Sequence, residues 1–379
     1  IRIILDGVFN HTGRGFYQFN HILECGPSSP FIDWFHIRGF PLNAYDTRKK
    51  PNYRTWAGYR ELPKLNTDNP DVREFIFGVV KYWSSLGIDG WRLDVPAEID
   101  DDDFWREFRR IVKSINSEAY IVGEIWVDEI HRTAHRWLSG DQFDAIMNYG
   151  LTSACIAFFI GNKLLRHLIE GQGHAPKRPL NAEEFSERIE HLLNLYPTDI
   201  VYCQYNLLDS HDIARFLTLS NGDKRILKMA YTFLMTYIGA PSIYYGTEIG
   251  LEGGRDPDCR RAMPWDELSW DRELLDYFKK LISIRRTYNT LRKGSYKTLQ
   301  ASKSGIYSFL RTSGDEKIVI ILNNSSNAYD VDTPIGDHIS DGTILRCLLN
   351  GDEFYVKHGR VRGARKIEPK SAAILCVVK

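Results

Sequence analysis

The sequence predicts an α/β fold with parallel strands, followed by an antiparallel β domain. Three observations support this class. Six short apolar runs recur between residues 1 and 248, most of them followed by a helical pattern. A long irregular segment separates the first two runs, and alternating runs replace the helices after about residue 291. Repeated strand–helix units indicate either a doubly wound sheet or a (β/α)8 barrel, and the pattern alone leaves both open.

Each predicted strand is an apolar run that ends in polar residues. The helix after the second run shows the repeat best, because capping carboxylates at 100–103 precede apolar residues at helical spacing from Phe104 to Ile115. Strand, helix and strand within about 30 residues form a βαβ unit. The six runs are 1–11, 87–95, 119–126, 143–149, 201–212 and 240–248.

Two segments depart from this repeat and set the expected domains. Residues 13–69 are rich in Gly, Pro, Asn and aromatics and are too long for a plain connection, so they predict an inserted subdomain or lid. Residues 291–379 carry alternating runs with turn signals such as SGD and NGD, which predict an antiparallel β sandwich. The expected division is therefore 1–290 for the α/β part, with the insertion inside it, and 291–379 for the β part.

The charge balance and residue composition indicate which kinds of binding partner the protein favours. Lysines plus arginines equal aspartates plus glutamates at 49 each, so the balance favours neither nucleic acid nor an anionic membrane as partner. Hydrophobic residues make up 43% of the chain, as in ordinary globular proteins. A neutral substrate fits this charge balance, and the 13% of aromatic residues is compatible with stacking against sugar rings.

The cysteines and the N-terminal run predict a cytoplasmic protein. The six cysteines are scattered with neither a CxxC pair nor zinc-like spacing, which is typical of free thiols in a reducing compartment. The first run is apolar for only five residues, so it predicts neither a signal peptide nor a membrane span.

Polar residues stand at the ends of four predicted strands. Catalytic groups gather at the carboxyl ends of parallel strands, so this pattern predicts a site. Any one of these residues has a structural explanation, since Asp and Asn often cap the next helix and a single His is usually a core residue. The residues are Asp6, Asn10, His11, Arg92, Asp94, Glu124, His211 and Asp212.

The residue types favour acid–base chemistry over a metal site. Metal-binding histidines are usually closely spaced, as in HExxH, and that motif is absent from the sequence. Glycoside hydrolysis needs one ionised carboxylate and one neutral carboxylic acid. Arg92 shares a strand face with Asp94 and favours its ionised form, whereas the apolar neighbours Ile125 and Trp126 favour the neutral form of Glu124.

Four motifs in order resemble the signature regions of the α-amylase family of glycoside hydrolases. They are DGVFNH, GWRLDV, GEIW and LLDSHD. The likeness covers essentially the whole chain, with 13–69 similar to the family's domain B and the β part similar to its domain C. LPKLN, residues 62–66, resembles the signature MPKLN of the cyclomaltodextrinase, neopullulanase and maltogenic amylase subgroup, with Leu in place of Met.

The resemblance implies a role for each site residue. Asp94 would be the nucleophile, Glu124 the general acid and then base, and Asp212 the third carboxylate, which binds hydroxyls of the distorted ring. Arg92 would orient the nucleophile, and Asp6 and Asn10 would brace the site. The residues implied to bind substrate, in addition to Arg92, are His11, His211, Asp256, Arg260, Glu98, Trp126 and Tyr149.

The resemblance also implies a reaction, a cofactor state and a partner. We expect a retaining hydrolase of 1,4-linked α-glucans such as cyclomaltodextrins, pullulan and maltooligosaccharides, with no cofactor. Calcium-dependent amylases hold their ion with the residue matching Asn10 and a segment after the nucleophile, which is VPAE here, so bound calcium is not predicted. The implied full-length protein is a homodimer.

Four alternatives and one departure accompany this prediction. The same residues would serve a transglycosylase or a general α-amylase, and a non-catalytic relative would lack one of the three acids. A nucleotide binder would need a Gly-rich phosphate loop, which the sequence lacks. The chain begins within what resembles the third barrel strand, so we expect a fragment without the first two strands, prone to aggregation because unpaired parallel edges are poorly tolerated.

Overall fold

The computed structural model describes residues 1–126 and 135–378, which form two compact units. The first unit comprises residues 1–125 and 135–147 of the described chain. The second comprises residue 126 and residues 148–378.

The first unit is built on a parallel sheet whose strands pair in chain order, β1-β2-β3-β4. Each strand lies inside one of the predicted apolar runs, and the pairing aligns Ile4 with Gly90 and Gly90 with Tyr120. Its elements are β1 Ile4–Gly7, α1 Tyr17–Cys25, α2 Pro70–Ser85, β2 Gly90–Leu93, α3 Asp102–Ile115, β3 Tyr120–Gly123 and β4 Ala145–Ile146.

Local sequence explains the central βαβ unit. The Asp101 side chain caps α3 by accepting bonds from the backbone N–H groups of Asp103 and Phe104. The predicted apolar stripe is buried except at its last residue, Ile115, which is 40% exposed. Gly90 is required at the start of β2, because a Cβ atom there would lie 2.1 Å from the carbonyl oxygen of Tyr120.

The predicted insertion, residues 13–69, has a small aromatic core of its own. Phe19 of α1 packs edge-on against Phe35 and Tyr53, with both ring-centroid distances at 5.0 Å. Isolated antiparallel bridges rather than full strands connect its remaining backbone. One of these bridges pairs His11, just after β1, with Lys64, and so fixes the insertion beside a strand end.

The second unit begins with helices and a short parallel strand pair. Strand β5 aligns Tyr205 with Ala240 of β6, as expected from the fifth and sixth runs. The elements of this part are α4 Tyr149–Cys155, α5 Ala182–Leu193, α6 Thr198–Cys203, β5 Tyr205–Asn206, α7 Phe216–Leu219, α8 Lys224–Thr236, β6 Ala240–Pro241, α9 Arg272–Thr287 and α10 Asn289–Lys293.

The predicted C-terminal β part is antiparallel and starts at Ser295. Its strands are hydrogen-bonded into one continuous sheet, in the order β10-β13-β12-β11-β14-β9-β8-β7, rather than into two separate sheets. One face of this sheet forms its own apolar core, which includes Leu310, Val319 and Phe354. The strands are β7 Ser295–Ala301, β8 Ile306–Ser313, β9 Glu316–Asn323, β10 Asp332–Pro334, β11 Ile344–Cys347, β12 Glu353–Lys357, β13 Arg360–Gly363 and β14 Ser371–Val377.

The other face of this sheet shares a core with the helices of the second unit. Phe185 of α5 packs against Tyr307 of β8 at 5.1 Å, and Phe233 of α8 packs against Phe309 at 5.9 Å. Arg311, also from β8, is fully buried and donates to the backbone carbonyls of Thr236, Leu291, Gly294 and Ser295. The sheet and the end of α8 are therefore joined by apolar packing and by one guanidinium.

The helices and the cysteines of the described chain bear on membrane insertion and on disulfide formation. None of its helices combines the length and apolar character needed to cross a bilayer. All six cysteines lie in the described part and carry thiols.

Candidate active site

Arg92 is the centre of a cluster of acids in the first unit. Its Nη1 donates to Asp6 Oδ1 at 2.8 Å and to Asp94 Oδ1 at 2.9 Å, and its Nη2 lies 2.9 Å from Glu124 Oε2. The fold explains the arrangement, because Asp6 and Arg92 are register partners on adjacent parallel strands, while Asp94 and Glu124 directly follow β2 and β3. Four of the predicted site residues are thereby brought together, and they form the first cluster.

Burial makes the first cluster strongly electrostatic. The side chains of Arg92 and Glu124 are 13% and 3% exposed. Burial disfavours the charge of Arg92, but Glu124, Asp6 and Asp94 outweigh it and raise its pKa. The sequence predicts Arg92 as the partner of Asp94, whereas in the structure Glu124 also contacts this arginine. The difference in protonation that the sequence predicts for the two acids therefore does not follow from Arg92 alone.

His11 faces the second oxygen of Asp94. The distance from His11 Nε2 to Asp94 Oδ2 is 4.0 Å, and the imidazole stacks on Trp56 with 5.0 Å between ring centroids. Burial lowers the pKa of His11, although Asp94 opposes the shift. Asp94 thus has one oxygen bonded to Arg92 and the other directed towards a neutral imidazole.

Lys64 binds the residues that flank the first cluster. Its Nζ donates to Asn10 Oδ1 and to the Glu98 carbonyl oxygen, both at 2.7 Å, and to Glu98 Oε2 at 3.1 Å. Burial lowers the pKa of Lys64, and the hydrogen bond to Glu98 opposes this. The predicted brace Asn10 is therefore held by an ammonium group, and the predicted sugar ligand Glu98 is engaged with the same lysine. Sequence reasoning missed Lys64, although it belongs to the LPKLN motif.

Asp212 lies in the second unit, where basic groups hold both of its oxygens. His211 Nε2 lies 2.9 Å from Asp212 Oδ2, and Arg260 Nη2 donates to Asp212 Oδ1 at 3.1 Å. Arg260 also donates through Nε to Asp256 at 2.5 Å. Asp256 and Arg260, two of the residues implied to bind substrate, are therefore bonded to each other, and Arg260 also contacts Asp212, the predicted third acid.

Asp212, His211, Asp256 and Arg260 form the second cluster. A buried hydrogen-bond network supports this cluster, and sequence reasoning did not find the network. Asp209 accepts hydrogen bonds from Tyr231 Oη and Thr247 Oγ1, both at 3.0 Å, and burial raises its pKa against these bonds. Arg215 donates to the Cys259 carbonyl oxygen at 3.1 Å, and Cys259 Sγ donates to the His211 carbonyl oxygen at 3.0 Å. The loops that carry His211 and Arg260 are thus tied together.

Trp126 and Tyr149 form an aromatic stack in the second unit. Their ring centroids lie 4.2 Å apart with an interplanar angle of 10°. The Tyr149 side chain is fully buried against Trp126, which contradicts the expected direct contact between Tyr149 and a sugar, because such a contact needs an exposed ring. His174 completes the group at 6.0 Å from both rings and is also fully buried.

A metal site is not evident in the described chain. Within residues 1–126 and 135–378, groups of three or more His, Cys, Asp or Glu side chains arranged to hold an ion are not found.

Family models match most of the chain. Residues 1–270 match the model for the alpha amylase catalytic domain, and residues 296–375 match the model for the neopullulanase-like C-terminal domain. These matches confirm the predicted class, an α/β barrel catalytic domain followed by an antiparallel β domain.

Similar proteins carry the names of the predicted subgroup. A cyclomaltodextrinase of Bacillus sp is 44% identical over 340 residues, which cover 89% of this chain and 57% of that protein. Neopullulanase 2 of Thermoactinomyces vulgaris is 41% identical over 364 residues, which cover 96% of this chain and 58% of that protein. The chain therefore spans less than two thirds of the length of these curated relatives.

Solved structures agree with this match. A debranching enzyme of Nostoc punctiforme superposes with a TM-score of 0.90 at 41% identity, covering 99% of this chain and 76% of that one. A structure of a cyclomaltodextrinase superposes with a TM-score of 0.85 at 39% identity, covering 100% and 60%.

Proposed function

Because the chain belongs to the α-amylase family of glycoside hydrolases, we propose that it carries the catalytic residues of a retaining α-glucan hydrolase. Its substrates are the α-1,4-glucosidic bonds of cyclomaltodextrins, pullulan and maltooligosaccharides. The observation that carries the proposal is the pairing of Asp94 and Glu124 with one buried guanidinium, that of Arg92. Retention requires two carboxyl groups about 5 to 5.5 Å apart, and a shared arginine holds both close to one point.

The first step uses the two acids of the first cluster. Asp94 attacks the anomeric carbon through Oδ2, because Oδ1 is bonded to Arg92. Protonated Glu124 gives its proton to the glycosidic oxygen as the bond from that oxygen to the anomeric carbon breaks. The products are a glycosyl ester on Asp94 and a leaving sugar with a new hydroxyl group.

The second step returns both acids to their starting states. Ionised Glu124 removes a proton from water, and the resulting oxygen nucleophile attacks the anomeric carbon and releases the Asp94 carboxylate. Two inversions leave the configuration of the sugar unchanged. His11 and Arg92 keep the nucleophile in position through both steps.

The second unit carries Asp212, the proposed third acid, and Trp126, a proposed sugar ligand. Asp212, held by His211 and Arg260, binds hydroxyl groups of the distorted sugar ring. Trp126 offers an aromatic face to the leaving sugar, with Tyr149 supporting it from behind. In the first unit, Glu98 is a further proposed sugar ligand, and Lys64 holds it.

Trapping the glycosyl ester tests the function directly. A 2-deoxy-2,2-dihalo glucosyl or 5-fluoro glucosyl substrate slows the second step, and mass spectrometry of proteolytic peptides then locates the adduct. We expect the adduct on Asp94 and a fall in kcat of at least about a thousandfold for Asp94→Asn. Asp6→Asn is the matched control, since Asp6 also pairs with Arg92 but its side chain is 53% exposed. An adduct on another residue, or hydrolysis that survives Asp94→Asn, contradicts the proposal.

The proposal extends to location, assembly and domains. A cytoplasmic enzyme is supported by the similarity to an intracellular maltogenic amylase of Bacillus subtilis, 37% identical over 332 residues. The protein acts as a homodimer, which analytical ultracentrifugation tests. The domain division at 290/291 is supported by family models that end at residue 270 and resume at 296, and the proposed inserted domain at 13–69 lies within the first match.

A further inference from the structure

Val95, the residue after the proposed nucleophile, has a strained backbone. Its φ of 34° and ψ of 52° lie in the left-handed region, which β-branched residues rarely adopt. Pro96 follows, and a proline further restricts the residue before it to extended conformations. The Val95 side chain is only 8% exposed, so packing holds the residue in this state. Strain of this kind persists only where the surroundings impose it, and it concentrates at functional sites.

The strained conformation changes the partner of one backbone N–H group. The parallel ladder between β2 and β3 continues to Glu124, whose N–H donates to the Leu93 carbonyl oxygen at 2.9 Å. In a regular ladder the next bond would run from the Val95 N–H to the backbone carbonyl of Glu124. The Val95 N–H instead donates to the side chain of Glu124, at 3.2 Å from Oε2. This oxygen is also the one that Arg92 Nη2 approaches at 2.9 Å.

We infer that Val95 is a positioning residue whose left-handed conformation directs its N–H at the Glu124 carboxylate and so favours the ionised form of that acid. A hydrogen bond donated to a carboxylate favours its charged state. The inference rests on the proposed function, because the ionised form is the one that activates water in the second step.

The charges around Glu124 fit this assignment. Strand β2 supplies Arg92 and, just after its end, Asp94, while β1 supplies Asp6, which shares the same guanidinium. His11 approaches Asp94 rather than Glu124. Strand β4, on the other side of β3, carries only the apolar residues 145–146. Arg92 is divided among three carboxylates, so the neutral donor at residue 95 adds a contact that belongs to Glu124 alone.

A backbone ester at residue 95 tests the contact without changing a side chain. Incorporating the α-hydroxy analogue of valine replaces the N–H by oxygen, and the ionisation of ¹³C-labelled Glu124 is followed by NMR against pH, with Glu124→Gln assigning the signal. In the ester variant, we expect the titration midpoint of the Glu124 carboxyl group to rise by about one pH unit. The control is an ester at Ile99, whose N–H donates to the Pro96 carbonyl oxygen in the same turn. An ester at 95 that titrates like the wild type overturns the inference.

The substitution Val95→Gly tests whether the left-handed backbone conformation at residue 95 depends on the valine side chain. Glycine enters the left-handed region without steric cost, so the folded chain should melt at the same or a higher temperature, while the released N–H lowers kcat several-fold with little change in KM. If kcat and the titration midpoint of Glu124 are both unchanged, Val95 has only a structural role in the turn, and the inference is overturned. A shifted midpoint in the ester of a chain that hydrolyses no glucan would support the positioning role and contradict the proposed function.

Discussion

Replacing His174 by leucine should make the protein more resistant to acid. His174 is fully buried, and within the described part of the chain neither of its ring nitrogens has a hydrogen-bond partner. Burial lowers its pKa from 6.5 to about 4. The folded protein therefore keeps this imidazole neutral at pH values where the unfolded chain would protonate it.

The sign and size of the effect follow from proton linkage. Between pH 6.5 and about 4 the unfolded chain binds one more proton than the folded chain at this residue, so the free energy of unfolding falls as the pH falls through that window. The full effect of a shift of about 2.5 units is about 3 kcal/mol, and at pH 5 about 2 kcal/mol of it is already lost. A loss of that size lowers the Tm of a unit of about 230 residues by roughly 4 to 8 °C.

Thermal unfolding at pH 7 and pH 5 measures this contribution. Wild type and His174→Leu should have similar Tm values at pH 7, and the variant should melt several degrees higher at pH 5. The matched control is His167→Leu, because His167 is exposed in the same segment and its imidazole stays in water in both states. Equal losses of Tm on acidification for His174→Leu and the wild type would refute the reasoning.

Three further substitutions have expected outcomes. Lys64→Met keeps the length of the side chain but removes three hydrogen bonds, so urea unfolding should show a loss of about 3 kcal/mol, and Lys64→Arg should lose less. Arg311→Leu removes a buried guanidinium that donates to four backbone carbonyl groups, of which that of Gly294 also accepts from Tyr202 Oη, and it should cost about 4 kcal/mol or more in the same assay. A comparable cost for the exposed control Arg292→Leu would contradict this account. Trp126→Ala should lower kcat/KM on maltooligosaccharides about tenfold, and Trp126→Phe should retain most of it; identical losses in the two variants would argue against stacking.

The strands and the first cluster could be predicted from sequence because their signals are local. An apolar run that ends in polar residues marks a parallel strand and its carboxyl end, and adjacent strands then bring Asp6, Arg92, Asp94 and Glu124 together. This reasoning needs only strand order and the alternation of side chains.

The supporting residues depend on long-range contacts and have no comparable local signal. Lys64 belongs to the LPKLN motif, but its partners Asn10 and Glu98 lie 54 and 34 residues away in the chain, so the motif alone does not show that this lysine is a buried cation. The burial of Tyr149 beneath Trp126 likewise depends on tertiary packing. The left-handed conformation of Val95 runs against its own local preference, so sequence reasoning predicts the opposite.

The core that the C-terminal sheet shares with α5 and α8 affects how the chain can be divided for engineering. A truncation after α10 would remove Tyr307 and Phe309, which pack on Phe185 and Phe233, and would expose a wide apolar surface on the remaining helices. Recombination of this protein with its relatives should therefore keep the sheet and these helices from the same parent. A chimera joined at residue 290 with a foreign sheet would need its interface side chains exchanged as a set.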